Sequence, residues 1–195
     1  MKLCVFQGTF NPIHNAHLKM AEFVLSNYNF DKILFIPAHK PPHKDYDENL
    51  SVHRYKMVEL ATAYNKKFEV SDIEFSQERT SYTYLTILEL YKKYDIDGKI
   101  NFIIGTDAFN QIDTWYEASK LKDLVHFIVF SRNSEPNGEN YTFAPMEFED
   151  ISSTQIRENI KQNKENTDLI PRIVEEYIKE YGLYKNEWKR NFIMA

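Results

Sequence analysis

Residues 3–17 read Leu-Cys-Val-Phe-Gln-Gly-Thr-Phe-Asn-Pro-Ile-His-Asn-Ala-His, and this stretch is the most informative about the fold. The apolar run 3–6 predicts a buried strand, and residues 17–28 carry apolar side chains at helical spacing. Between them lie a glycine, a small hydroxyl residue and a pair of histidines. A strand, a glycine-containing loop and a helix start favour phosphate binding, because the helix start offers free amides and the positive end of its dipole.

The rest of the chain alternates between short apolar runs and longer segments of helical spacing. The predicted strands are 33–36, 68–75, 102–104 and 127–130, and the predicted helices are 51–64, 82–94, 154–161 and 171–181. This alternation predicts an α/β fold, a Rossmann-like parallel sheet with helices on both faces and a small helical part near the C-terminus. Because 102–104 and 127–130 are almost wholly apolar, we expect them to be central strands beside the first strand.

Length and composition restrict the class of protein. A chain of 195 residues that is 43% hydrophobic fits one domain over residues 1–195, with 185–195 as a C-terminal tail. The net charge of -5 argues against a nucleic-acid partner, since such binding usually needs a basic face. The single cysteine, Cys4, cannot form an internal disulfide, and no stretch is apolar enough to span a membrane. These features predict a cytoplasmic protein without a membrane partner.

The two histidines after the first strand, His14 and His17, are candidates for contact with phosphate. Histidine can donate a hydrogen bond to a phosphate oxygen, and Gly8 lets the backbone approach a ligand closely. The alternative is that Gly8 only turns the chain and that both histidines are ordinary polar groups, which would be the better interpretation of a lone histidine. Two histidines three residues apart after Gly-Thr favour the functional interpretation.

A second candidate anion-binding segment is residues 151–157, Ile-Ser-Ser-Thr-Gln-Ile-Arg. Hydroxyls and amides at a predicted helix start, with Arg157 one turn later, can converge on an anion. Ordinary helix capping is the better explanation of this segment when it is considered alone.

Four other segments carry polar or aromatic groups near predicted strand ends and helix starts. Residues 41–44 form a basic loop, and the Ser/Thr-rich start of the helix after Arg79 exposes amides to an anion. Asp107 follows a buried strand and can accept hydrogen bonds from ribose hydroxyls, while Trp115-Tyr116 lies in a polar segment. Each has an ordinary alternative: a solvated loop, two helix caps and core packing.

The run 7–17 resembles the (G/T)-G-(T/S)-F-D-P-I-H-x-G-H signature of the nicotinate and nicotinamide mononucleotide adenylyltransferases, with departures at Gln7, Asn11 and Ala16. The other segments are similar to further motifs of that family, namely P-P-H-K at 41–44, S-Y-T at 81–83, G-x-D … W-Y at 105–116 and I-S-S-T-x-I-R at 151–157. The resemblance covers residues 1–184. It implies the nucleotidyltransferase type of the predicted fold.

The resemblance also implies a reaction and a set of site residues. The reaction is adenylyl transfer from ATP to nicotinate mononucleotide, which gives nicotinate adenine dinucleotide and pyrophosphate, a step of NAD biosynthesis. We expect Mg²⁺ to be held mainly by the ATP phosphates, with no metal site made by protein alone. The implied catalytic residues are His14, His17 and Arg157; those for ATP are Gly8, Thr9, Phe10, Asp107, Ser153 and Thr154; those for nicotinate mononucleotide are Lys44, Thr83, Tyr84, Trp115 and Tyr116.

Two other functions stay open at this point. One is an adenylyl- or cytidylyltransferase for another phosphorylated acceptor such as phosphopantetheine, which the Ser-Tyr-Thr and Trp-Tyr segments disfavour. The other is a non-catalytic nucleotide-binding protein, which the departures at Gln7 and Ala16 keep open. The sequence does not fix the preference between nicotinate and nicotinamide mononucleotide, although the bacterial-type pattern favours nicotinate. It also leaves the oligomeric state open, a homodimer included.

Overall fold

The sheet is parallel throughout, as the alternating sequence pattern predicts. A computed structural model describes residues 1–42, 47–131, 136–146 and 151–185. In these ranges the strands are β1 (Leu3–Gly8), β2 (Lys32–Pro37), β3 (Phe68–Val70), β4 (Ile100–Gly105), β5 (Val125–Phe130) and β6 (Tyr141–Ala144). They form one sheet in the order β3-β2-β1-β4-β5-β6.

Helices join the strands and cover both faces of the sheet. They are α1 (Asn15–Asn27), α2 (Glu48–Thr62), α3 (Thr83–Lys93), α4 (Thr106–Phe109), α5 (Ala118–Leu124), α6 (Ser153–Lys161) and α7 (Arg172–Tyr181). Alternate residues of β1 enter different cores: Cys4 and Phe6 pack on the α1 side, and Leu3 and Val5 pack on the α3 side. Such burial on both faces explains why the central strands are continuous apolar runs, and it confirms the predicted fold class.

The direction of the connections reverses at β1, which lies between β2 and β4. Chain order proceeds outward from β1 to β2 and β3 on one side, and from β4 to β5 and β6 on the other. The loops that leave the carboxyl ends of β1 and β4 therefore diverge to opposite faces, and a crevice opens between them. Open α/β sheets bind their ligands at this position.

The structure corrects several predicted boundaries and neighbours. The third strand was predicted as 68–75 but ends at Val70, because the Phe75 N–H turns back to the Asp72 carbonyl at 2.8 Å. Helix α2 begins before the predicted Ser51, and its cap is Asp47, whose carboxylate accepts from the Leu50 N–H. The run at 102–104 lies in β4 and pairs with β1 as expected, whereas the run at 127–130 lies in β5 and pairs with β4 and β6 instead.

Three elements were absent from the sequence prediction, α4, α5 and β6. Helix α5 has seven residues, and α4 and β6 have four each, so none is long enough to show a clear apolar repeat. Within the described ranges the longest helix is α2, with 15 residues, and no helix there is long and apolar enough to cross a membrane.

Candidate active site

The β1 loop, residues 9–14, connects β1 to α1 and ends at His14, the N-cap of α1. The main-chain N–H of His14 donates to Nδ1 of His17 at 3.2 Å. The two imidazole rings stack, with centroids 3.6 Å apart and ring planes at 21°. Since Nδ1 of His17 accepts a hydrogen bond, its neutral ring carries the proton on Nε2. The backbone thus selects the tautomer in which Nε2–H is a donor.

The carbonyl groups of this loop point at protein donors. Four of them, counting the last residue of β1, accept hydrogen bonds from other segments: Gly8 from the Ala38 N–H at 2.9 Å, Thr9 from Arg54 Nη1 at 2.6 Å, Asn11 from Arg157 Nη1 at 2.8 Å and Pro12 from Ser153 Oγ at 2.9 Å. Protein donors therefore satisfy the negative ends of these peptide dipoles. This arrangement favours phosphate in the crevice.

The two motifs that sequence reasoning treated as anion binders meet at the β1 loop. Ser152 caps α6 by accepting from the Gln155 N–H at 3.2 Å, which orients the start of that helix. Arg157 reaches from the first turns of α6 to the Asn11 carbonyl, and its second terminal nitrogen lies 3.2 Å from Thr154 Oγ1. Ser153 bonds the neighbouring Pro12 carbonyl. The start of α6 thus lies beside the loop that carries the histidines.

The Phe10 side chain supports the β1 loop from the core, where it is only 3% exposed. The residue adopts a left-handed backbone with φ 47°, which costs an ordinary residue about 1 kcal/mol. Its ring contacts Phe6 and His17 edge-on, with centroids 5.5 and 5.0 Å apart, and this packing holds the strained turn. A Cβ at Gly8 would lie 3.1 Å from the Phe10 ring, so Gly8 leaves the space in which that ring sits. Any contact of Phe10 with a ligand is restricted to its main chain.

Asp107 lies on the other side of the crevice, exposed in the first turn of α4 directly after β4. Thr106 beside it is buried and donates from Oγ1 to the Phe130 carbonyl at 3.0 Å, which fixes the turn against β5. A carboxylate at the end of the strand next to β1 can reach a ligand in the crevice.

The segments predicted to bind the mononucleotide also come together. Thr83 and Tyr84 are the first residues of α3, whose first amides have no intrahelical acceptor. Tyr116 is 48% exposed and stacks on Tyr82, with ring centroids 4.7 Å apart. Trp115 is half-buried, and its ring meets Phe102 edge-on at 6.5 Å. Tyr116 therefore presents more aromatic surface beside α3 than Trp115, which partly joins the core.

Lys44 falls outside the described residues, so its predicted role stays a prediction. In the ranges that the structure describes, His, Cys, Asp and Glu side chains form no group of three or more that could hold a metal ion.

Sequence reasoning missed four residues that shape the site, Arg54, Glu74, Tyr82 and Tyr184. Tyr184 donates from its hydroxyl to Asn11 Oδ1 at 2.7 Å, so Asn11 is held through its side chain as well as its carbonyl. Arg54 is 4% exposed, and besides Thr9 it donates to the Ala38 and His39 carbonyls at 2.7 and 3.3 Å. The signal for Arg54 in the sequence was its spacing of three, four and seven residues from Met57, Val58 and Ala61, which puts it on the buried face of α2.

Comparison with known proteins agrees with this geometry. A family model described as cytidylyltransferase-like matches residues 5–159. A probable nicotinate-nucleotide adenylyltransferase of Staphylococcus epidermidis is 39% identical over 186 residues, which cover 94% of this chain and 97% of that protein. The nicotinate-nucleotide adenylyltransferase of Bacillus subtilis is 39% identical over 193 residues, with coverage of 95% and 99%. This chain belongs to the nicotinate-nucleotide adenylyltransferase family.

Solved structures show the same nucleotidyltransferase fold. The Plasmodium falciparum nicotinic acid mononucleotide adenylyltransferase complexed with NaAD superposes with a TM-score of 0.77 at 22% identity, over 94% of this chain and 97% of that one. A putative nicotinate-nucleotide adenylyltransferase from Vibrio parahaemolyticus gives a TM-score of 0.71 at 23% identity, with coverage of 95% and 97%. The family membership confirms the resemblance seen in residues 7–17.

Substitution of Arg54 tests whether its buried guanidinium stabilises the candidate site of this adenylyltransferase-family protein. We expect Arg54→Met to lower the free energy of unfolding by about 2–4 kcal/mol, because three buried carbonyls lose their charged donor. Urea unfolding followed by circular dichroism measures this loss. Arg172→Met is the matched control, since Arg172 is exposed and pairs with the exposed Glu176, and its effect should stay within about 0.5 kcal/mol. Equal urea midpoints for the two variants would contradict the assignment.

Proposed function

We propose that this chain transfers the adenylyl group of ATP to nicotinate mononucleotide and releases pyrophosphate. The observation that supports it is the convergence of the histidine pair and the start of α6 on one loop, in a member of the nicotinate-nucleotide adenylyltransferase family. The first turn of α3 supplies amides for a carboxylate near the same strand ends. These features fit nicotinate mononucleotide better than an acceptor without a ring carboxylate.

The reaction is an in-line displacement at the α-phosphorus of ATP. A phosphate oxygen of the mononucleotide forms the new P–O bond while the bond to the pyrophosphate oxygen breaks. The attacking oxygen is already anionic, so no general base is needed. The site must instead bring two polyanions together and stabilise charge on the phosphorus oxygens and the leaving group.

His17 supplies a neutral donor at the phosphates. Because Nδ1 is occupied by the His14 main-chain N–H, protonation of the ring is not required for Nε2–H to donate. His14 stacks on this ring and restricts its rotation. We assign both His17 and His14 to the phosphate oxygens of ATP.

Arg157 adds positive charge from α6. A guanidinium has five N–H donors, and the described contacts with Asn11 and Thr154 leave further donors for a phosphate. Ser153 and Thr154 lie at the start of the same helix, where main-chain amides favour anions. Gly8, Thr9 and Phe10 complete the ATP site through their backbone, and Asp107 is placed to bind the ribose.

The acceptor mononucleotide lies on the α3 side of the crevice in this proposal. The main-chain amides of Thr83 and Tyr84 receive the nicotinate carboxylate, and the rings of Tyr116 and Trp115 contact the pyridine. Lys44 is assigned to the mononucleotide phosphate.

Mg²⁺ accompanies ATP in this proposal. This small, hard cation keeps several waters and binds phosphate oxygens in preference to an all-protein cage, and it neutralises charge on the triphosphate. The histidines, the main-chain amides and Arg157 then donate to the phosphate oxygens that the metal does not bind.

A steady-state assay of pyrophosphate release tests the function. We expect turnover with ATP and nicotinate mononucleotide, a lower kcat/KM with nicotinamide mononucleotide, and none with phosphopantetheine. A protein that binds ATP but releases no pyrophosphate with any acceptor would be a nucleotide-binding protein instead. Preferential turnover of phosphopantetheine would assign the chain to another reaction.

Removal of the His17 imidazole tests the phosphate site. His17→Ala should lower kcat about 100- to 1,000-fold, which is the usual effect of losing one donor to transition-state charge, and it should leave the circular dichroism spectrum unchanged. His126→Ala is the control, because His126 lies near the start of β5 and bonds Thr142 at 2.7 Å. A folded His17→Ala protein with wild-type kcat would exclude this role.

Truncation of the aromatic rings tests the acceptor side. Tyr116→Ala and Trp115→Ala should each raise the KM for nicotinate mononucleotide about threefold to tenfold through lost ring contacts. Trp115→Ala should also lower the melting temperature, since that ring packs on Phe102. Tyr64 is an exposed tyrosine beyond the end of α2, so Tyr64→Ala should change neither kcat nor the KM for nicotinate mononucleotide. Unaltered KM in both site variants would count against the ring contacts.

A further inference from the structure

A buried carboxylate, Glu74, lies in the segment between β3 and α3 and has no part in the chemistry described above. Its side chain is only 3% exposed. Burial raises the pKa of Glu74, and hydrogen bonds from Ser81, Thr86 and the His39 N–H act in the opposite direction. The carboxylate is therefore costly to bury, and its donors offset part of that cost.

Four donors from three segments meet at this carboxylate. Gln7 Nε2 donates from the end of β1, the His39 N–H from the segment after β2 at 3.2 Å, Thr86 Oγ1 from the first turn of α3 at 2.7 Å, and the Ser81 hydroxyl from the residues that precede α3. An ionised carboxylate is the one side chain of this length that accepts about four hydrogen bonds and donates none.

Ser81 extends this network to the segment after β2. Its Oγ accepts from the Lys40 N–H at 2.9 Å, and its own N–H donates to the Lys40 carbonyl at 2.9 Å. The residues after β2 and those before α3 are thereby joined by two hydrogen bonds, one of them between main-chain groups. Glu74 connects both of them to β1 through Gln7.

We propose that Glu74 is a positioning residue that holds the acceptor-binding start of α3 at a fixed distance from the end of β1. The inference rests on the proposed function, because Thr83 and Tyr84 lie between Ser81 and Thr86 and are the residues assigned to the nicotinate carboxylate. A shift of this turn would move the mononucleotide relative to the α-phosphorus, and in-line displacement is sensitive to such shifts.

A role in stability alone explains the residue less well. The charge of Arg79 lowers the pKa of Glu74, but Arg79 bonds Glu89 at 2.9 Å, and within the described residues no cation forms a direct ion pair with Glu74. Among the described residues Gln7 Oε1 is buried without a hydrogen-bond partner, so Gln at position 74 can donate to it if the Gln7 amide turns, but that –NH2 group cannot accept from Thr86 Oγ1. The carboxylate thus acts as a common acceptor for three segments, which a neutral amide cannot fully replace.

Glu74→Gln tests the inference, because it keeps the volume and removes one acceptor oxygen. We expect the KM for nicotinate mononucleotide to rise about tenfold, with the KM for ATP within about twofold of wild type, because the change affects the binding of one substrate only. The melting temperature should move by no more than a few degrees. Glu69→Gln is the matched control, since Glu69 on β3 is 43% exposed and pairs with Lys32; its kinetic constants should equal those of wild type.

A second pair of variants keeps the inference testable if Glu74→Gln folds poorly. Thr86→Val removes one donor from the carboxylate and should raise the same KM by a smaller factor, whereas Thr86→Ser keeps the hydroxyl and should restore it. A melting-temperature loss with unaltered KM in Glu74→Gln and Thr86→Val, or an equal rise in both KM values, would overturn the positioning role. Wild-type protein that releases no pyrophosphate with nicotinate mononucleotide would overturn the proposed function and this inference together.

Discussion

The candidate site depends on where the main-chain carbonyls of the β1 loop point. This loop has no regular structure of its own, so its carbonyls need donors from elsewhere, and they find them in Arg54, Ser153 and Arg157. With the carbonyls directed at protein, the loop presents less negative dipole to the crevice, where a triphosphate would otherwise be repelled. In the proposed function these donors and the two histidines form the phosphate site together.

Opposite buried charges fix the segment after β2. The His39 carbonyl accepts from Arg54 at 3.3 Å, and the His39 N–H donates to Glu74 at 3.2 Å. Arg54 also reaches the Thr9 carbonyl, while Glu74 also reaches Gln7, so both side chains connect this segment to β1. Replacing a buried charge together with its partners by apolar residues often costs little stability, whereas removing one partner alone is costly. The advantage of Arg54 and Glu74 here is geometric, because each satisfies several backbone or side-chain groups from different loops at once.

The sequence predicted the parts of the molecule that carry a local pattern. Strands β1, β2, β4 and β5 were recognised because both faces are buried, and the segments around His17, Ser153 and Thr83 were recognised because their residue types follow strand ends or begin helices. Strand β6 was not predicted, because Tyr141 and Thr142 are only half-buried and the apolar pattern is therefore weak. The contribution of Arg54, Glu74 and Tyr184 to the candidate site was not predicted for a different reason. Their partners are atoms far away along the chain, and no spacing rule connects an arginine in α2 to the Thr9 carbonyl.

The long separation between the β1 loop and its donors has a consequence for synthesis of the protein. Ser153, Arg157 and Tyr184 lie 141, 146 and 173 positions beyond the loop atoms that they hold. On the ribosome the β1 loop emerges long before these donors are synthesised. Its contacts with them can form only after most of the chain is available. Nucleotide affinity should therefore arise late and abruptly in a nascent chain, once residue 184 has left the exit tunnel, rather than growing as each strand is added.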